Sequence, residues 1–80
     1  MIKIAVNRVL GEDGTPVPGE ARGPVIVALE NDCVREVRPL LREEPFTMWI
    51  GGELRLRRVD GLLTAWRYGQ RLDEQCFFNV

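Results

Sequence analysis

The sequence predicts one small all-β domain over residues 1–80, a β-sandwich or β-roll of about six or seven short, mostly antiparallel strands. Three observations carry that expectation. Apolar and polar residues alternate with period two in several short runs. Turn-forming pairs, Asn31-Asp32 and Asp60-Gly61 above all, separate those runs at close intervals. No segment long enough for a stable helix repeats its apolar residues at helical spacing.

Residues 2–10 open the chain as a half-buried strand, with Ile2, Ile4 and Val6 on one face and Lys3, Ala5 and Asn7 on the other. Residues 11–24 hold Gly11, Gly14, Pro16, Pro18, Gly19, Gly23 and Pro24, a density that excludes a helix and reads as a long turn or loop. Residues 25–30 are β-rich and nearly all apolar. Asn31-Asp32 tolerates the positive backbone angles of a tight turn, and residues 33–38 alternate again until Pro39 ends the hairpin. Residues 40–45 are too few for more than one helical turn. Residues 46–50 form a short apolar, aromatic run that Gly51-Gly52 breaks. Residues 53–59 and 62–68 flank Asp60-Gly61 as a second hairpin. Residues 69–74 read as a polar connection and residues 75–80 as a last short strand.

Composition bounds the function. A chain of 80 residues with 45% hydrophobic and 29% charged residues has the make-up of a folded domain rather than a disordered one. Its small core leaves little stability in reserve, which favours oligomerisation. A net charge of -1 gives no sign of a general polyanion binder. Ten of the eleven basic residues are arginine, which fits either a GC-rich coding sequence or a use for bidentate and stacking contacts. Cys33 and Cys76 fit neither a redox nor a zinc spacing and read as buried, reduced thiols. The sequence shows neither a secretory leader pattern nor a membrane-spanning run, so a cytoplasmic location is the expectation.

Histidine and serine are both absent. That removes serine triads, Cys-His dyads and histidine-based metal sites. Lys3 is the sole lysine, and the glycine-rich loop does not run into a Lys-Ser/Thr helix start. The carboxylate pairs Glu12-Asp13, Glu43-Glu44 and Asp73-Glu74 fall in expected loops and read as solvated charge. An all-oxygen cation site at Glu12-Asp13 stays open, though its spacing is not that of an EF-hand. The expectation is a protein that is not an enzyme and holds no cofactor and no metal.

Several segments resemble the N-terminal accessory β-domain of the amidohydrolase superfamily, the metal-dependent hydrolases. Ile4-Ala5-Val6-Asn7-Arg8-Val9 is similar to the opening strand of that domain and Glu12-Asp13-Gly14-Thr15 to its glycine turn. Residues 25–39 resemble its hairpin, and Gly51-Gly52 falls near its next glycine turn. From Gly61 onward, Trp66 and Tyr68 stand where the family has its metal-binding histidines, and Thr64 where it has an aspartate. A catalytic barrel needs ~250 residues, so the resemblance is to the accessory domain alone. It implies a β fold and no hydrolase activity.

One constellation carries a functional reading. A two-residue turn at Asp60-Gly61 pairs Val59 with Leu62, Arg57 with Thr64, Arg55 with Trp66 and Glu53 with Tyr68. Leu54, Leu56, Leu63 and Ala65 then share one face, with Arg58 and Arg67. Arg55, Arg57, Trp66 and Tyr68 share the other as a candidate partner-binding face, with Arg55 stacked on Trp66. The competing account makes that face a second packed layer with Trp66 in the core. Three functions follow. The first is a non-catalytic structural or protein-interaction module, expected as a homodimer joined through strands or through this face. The second is an accessory or remnant β-domain of a split amidohydrolase completed by another chain. The third is a small β-barrel that stacks nucleic-acid bases, which the acidic balance of the chain opposes.

Overall fold

The spacing of apolar residues changes at Asn7, and the chain changes sheets there. In the computed structural model residues 1–18 and 23–73 are described. They form eight strands and no helix: β1 (Ile2–Val6), β2 (Arg8–Leu10), β3 (Val25–Glu30), β4 (Cys33–Pro39), β5 (Thr47–Trp49), β6 (Glu53–Val59), β7 (Leu62–Arg67) and β8 (Gln70–Arg71). One sheet has the order β4-β3-β1-β5 and the other β2-β6-β7-β8. Ile2, Ile4 and Val6 follow period two, but the next core residue is Val9, three positions on. A continuous strand would point Val9 away from the core. A bend at Asn7 restores it, so the single opening strand expected over residues 2–10 is two strands.

A second crossing runs alongside the first. β5 lies parallel to β1 and β6 parallel to β2. Between β5 and β6 the chain bends at Gly51 and Gly52, whose φ values of 65° and 72° lie in the region that glycine enters without penalty. The two bends are tied together. The Gly52 N–H donates to Asn7 Oδ1 at 2.7 Å, and the Gly52 carbonyl accepts from the N–H groups of Asn7 and Arg8 at 2.9 and 3.2 Å. The Ala5 carbonyl accepts from Ile50 and Gly51 at 3.0 and 3.2 Å.

The core lies between the sheets. Ile4 and Val6 from β1, Val27 and Leu29 from β3 and Leu54 from β6 are fully buried, with Leu56, Ala65 and Leu72 closing the cluster. Burying each large side chain is worth about 1.5–3 kcal/mol. The hairpin at Asn31-Asp32 has φ values of 53° and 63° and joins β3 to β4 as expected, with a register shift at Ala28 and Leu29. Pro39 is the last residue of β4, pairing with Val25, rather than a stop beyond it. The expected strand over residues 75–80, with Cys76 and the Phe77-Phe78 pair, lies outside the described residues.

The outer face of the first sheet is also covered. Ala5, Ile26 and Ala28 point away from the main core yet are buried. β4 and β5 run in the same direction on opposite edges of this sheet, so residues 40–46 must return across it. Glu44 anchors that crossing. Its carboxylate accepts from both terminal nitrogens of Arg38 and lies 3.4 Å from Lys3 Nζ. Glu43 is exposed as expected, but Glu44 is not a solvated loop charge, because its side chain is only 17% exposed. The Arg38 hydrogen bonds, with the charges of Arg38 and Lys3, hold the Glu44 carboxyl down to about 2.

Two outcomes follow. Gly52→Ala forces a Cβ into a left-handed position and within 3.2 Å of Arg67 Nη2, so it should cost about 1–2 kcal/mol in urea unfolding. Glu44 has a folded pKa of about 2 against an ordinary value of 4.5, so its contribution is complete above pH 4.5 and is lost as the pH falls toward 2. The urea midpoint of the wild type should drop across that window. Glu44→Gln should start lower and lose this part of the pH dependence.

Candidate partner-binding face

Asp60 and Gly61, with φ values of 52° and 81°, form the two-residue turn that the sequence predicts. The register follows from it: Val59 pairs with Leu62, Arg57 with Thr64 and Arg55 with Trp66. Leu54, Leu56 and Ala65 point into the core, and Leu63 packs against its margin. Arg55 and Arg57 project outward and are exposed, while Trp66 is half-buried.

Thr64 shares the outward face yet has no exposed surface, because the Trp66 indole lies beside it. Trp66 Nε1–H donates to Thr64 Oγ1 at 2.8 Å, and the Thr64 hydroxyl donates in turn to the Arg57 carbonyl at 2.7 Å. That chain fixes the indole toward the row of Arg57 and Thr64. The stacking cation is therefore Arg57, with its guanidinium carbon 5.0 Å from the ring centroid, and not the directly opposed Arg55. Strand pairing alone selects Arg55. The indole N–H, which needs an acceptor once it is partly buried, selects Arg57.

Tyr68 does not stand across from Glu53 in a paired strand. β7 stops at Arg67, and Tyr68-Gly69 makes a further two-residue turn with φ values of 52° and 78°. The chain returns as β8, pairing Arg67 with Gln70 and Trp66 with Arg71, where a polar connection was expected. Tyr68 is 86% exposed at the tip of this turn, with the Arg67 guanidinium 5.2 Å from its ring. Arg67 also donates to the Ile50 carbonyl at 3.3 Å, linking the turn to the bend at Gly51 and Gly52.

The four sequence-selected residues nevertheless meet. Arg55, Arg57, Trp66 and Tyr68 line one open groove of about 590 Å³, together with Glu12, Glu53 and Gly69. Glu53 lies 3.6 Å from Arg8 and Glu12 lies 3.4 Å from Arg58. Among the described residues neither Arg55 nor Arg57 has a carboxylate within ion-pair distance. The groove thus offers one guanidinium stacked on a hydrogen-bonded indole, a second without a carboxylate partner among the described residues, and an exposed phenol. Such a surface suits carboxylate and aromatic contacts.

The described residues include no group of three or more acidic or cysteine side chains placed to hold a metal ion. At Glu12-Asp13 the Asp13 carboxylate accepts from the Thr15 hydroxyl at 2.6 Å and the Thr15 N–H at 3.0 Å, and these bonds hold it below the usual carboxylate range. Cys33 is a half-buried free thiol on β4. Among the described residues no helix is long and apolar enough to cross a membrane.

Comparison with protein-family models, curated proteins and solved structures gives no match to this chain. The amidohydrolase likeness therefore stands on the quoted segments alone.

The Thr64 hydroxyl is the piece of this face whose removal has the clearest consequence. Thr64→Val keeps the shape but leaves the Trp66 N–H and the Arg57 carbonyl each short of a partner, at a cost of about 1–3 kcal/mol in chemical unfolding. The tryptophan emission should shift at the same time, as the indole loses its fixed seat. An unchanged midpoint and spectrum would show that the hydrogen-bond chain does not hold Trp66.

Proposed function

We propose that this chain is a non-catalytic protein-interaction module that binds a partner protein through the outer face of β6 and β7 and associates with itself as a homodimer. The observation that carries the partner reading is the groove in which Arg55 and Arg57, free of carboxylate partners among the described residues, flank the held Trp66. Arginine and tryptophan are typical anchors of protein interfaces, and here the Thr64 hydrogen bond seats the Trp66 indole, with Arg57 stacked on it, before any partner arrives. Glu12 and Glu53 line the same groove, which disfavours a continuous phosphate backbone and favours a polypeptide that presents single carboxylates. The net charge of -1 supports the same choice.

Site-specific photo-crosslinking in cells tests this. Tyr68→p-benzoylphenylalanine places the probe at the rim of the groove, and the same replacement at the exposed Arg42, in the crossing of residues 40–46, provides a control away from it. The expected result is a discrete heterologous adduct from position 68 that is absent from position 42 and lost when Arg55→Glu is added. No adduct, or the same adducts from both positions, would reject the groove as a partner site. An adduct with a metal-dependent hydrolase barrel would favour the accessory-domain alternative.

A further inference from the structure

We propose that self-association occurs by antiparallel pairing of β5 with β5 of a second copy, about a two-fold axis at Met48. This rests on the reading above that the chain forms a homodimer, and it names the surface.

An open sheet edge is a template for another strand, and folded proteins guard such edges with charge, proline, brevity or a covering loop. Among the described residues, three of the four sheet edges are guarded by charge, proline or a covering loop. β2 is covered where the chain folds back, through the Leu10–Pro16 bridge and the Val17 N–H that donates to the Val9 carbonyl at 2.9 Å. β4 carries Arg35, Glu36 and Arg38 and ends in Pro39. β8 has only two residues, one of them Arg71. β5 pairs with β1 on one side, and no described residue pairs with its other side. It carries no charge. Residues 45–52 contain no charged side chain in a protein that is 29% charged overall.

The apolar surface concentrates at this edge. Phe46 is 95% exposed, Trp49 55% and Met48 41%, and Leu41 in the preceding crossing is 86% exposed. A neutral, apolar edge specifies no charged ligand. It is complementary to itself, because a two-fold axis brings identical residues together and finds no like charges to repel here.

The hydrogen-bonding pattern fits that axis. The Ile50 N–H points inward, to the Ala5 carbonyl at 3.0 Å. Backbone groups alternate sides along a strand, so Met48 also faces β1, and the N–H and C=O groups of Thr47 and Trp49 face outward. Two copies of β5 run antiparallel with Met48 opposite Met48 in a non-hydrogen-bonded pair. Thr47 of each copy is then opposite Trp49 of the other in hydrogen-bonded pairs. Every outward group of these two residues gains a partner, and the first sheet becomes continuous across the dimer. The grooves on β6 and β7 belong to the other sheet and stay open.

Light scattering coupled to size exclusion, with protein from low micromolar to several hundred micromolar, tests the proposal. Wild type is expected to be a dimer. Met48→Lys and Met48→Glu each place like charges opposite one another and should weaken the dimer at least tenfold, while an equimolar mixture of the two should recover it. Trp49→Pro removes an outward N–H that pairing with β1 does not use, and it should give the same loss by another route. Circular dichroism matching wild type establishes that each variant is folded, and the mixture reports on pairing even if one variant is less stable alone. Variants that dimerise as tightly as wild type would overturn the β5 interface and leave self-association through another face. A wild type that stays monomeric throughout would overturn self-association and the interface together.

Discussion

Two chain segments leave one sheet and enter the other side by side, and the rest of the molecule depends on the bonds that hold them there. Asn7 and Gly52 exchange side-chain and backbone hydrogen bonds at the point where β1 becomes β2 and β5 becomes β6. The bend lets Val6 and Val9 both reach the core despite their odd spacing. It also delivers β6 to the second sheet in the register that turns Leu54 and Leu56 inward and Arg55 and Arg57 outward. The Arg67 side chain reaches back to the Ile50 carbonyl, so the tip that carries Tyr68 is braced against the same bend. The candidate groove is therefore positioned by paired strands together with the turn at Tyr68-Gly69.

The arginines fall into distinct uses. Arg38 joins Glu44, which also reaches Lys3, and so brings the crossing of residues 40–46 down over the buried Ile26 and Ala28 between β4 and β1. Arg8 and Arg58 sit in longer, half-exposed ion pairs, of the kind that contributes little to stability. Arg57 stacks on an indole, and Arg55 has no carboxylate partner among the described residues. Arginines serve the fold over both sheets, Arg38 over the first and Arg67 and Arg71 from the second, while Arg55 and Arg57 have no carboxylate partner among the described residues. The proposed contact face rests on Arg55 and Arg57 beside Trp66 on the outer face of β6 and β7.

The two turns with favourable residue types were legible in the sequence, and the pairings between distant segments were not. Asn31-Asp32 and Asp60-Gly61 announce their hairpins because both turn positions need positive φ, which those residue types tolerate. The register of β6 on β7, and hence which side chains share the groove, follows from the second turn alone. Tyr68-Gly69 adopts the same geometry unannounced, since an aromatic residue is a poor signal for a left-handed position. The parallel pairings of β1 with β5 and of β2 with β6 have no local signature, because nothing in a three-residue run states its distant neighbour. Glu44 looked like solvated charge for the same reason: its partners Lys3 and Arg38 become neighbours only when the crossing is laid over the sheet. Arg57 rather than Arg55 on Trp66 follows from the Thr64 hydroxyl, a contact between side chains that strand pairing does not specify.

The shared bend also governs how the chain can reach its fold. Asn7 and Gly52 are 45 residues apart, while the hairpins β3–β4, β6–β7 and β7–β8 each turn through two residues. The hairpins can zip locally, but the chain entropy of closing the long loop must be lost before the bend returns any contact. Neither sheet owns a continuous stretch of sequence: one takes its strands from positions one, three, four and five, and the other from two, six, seven and eight. No single cut yields a fragment that contains a whole sheet and nothing of the other. The two layers of described strands are thus woven from the same thread.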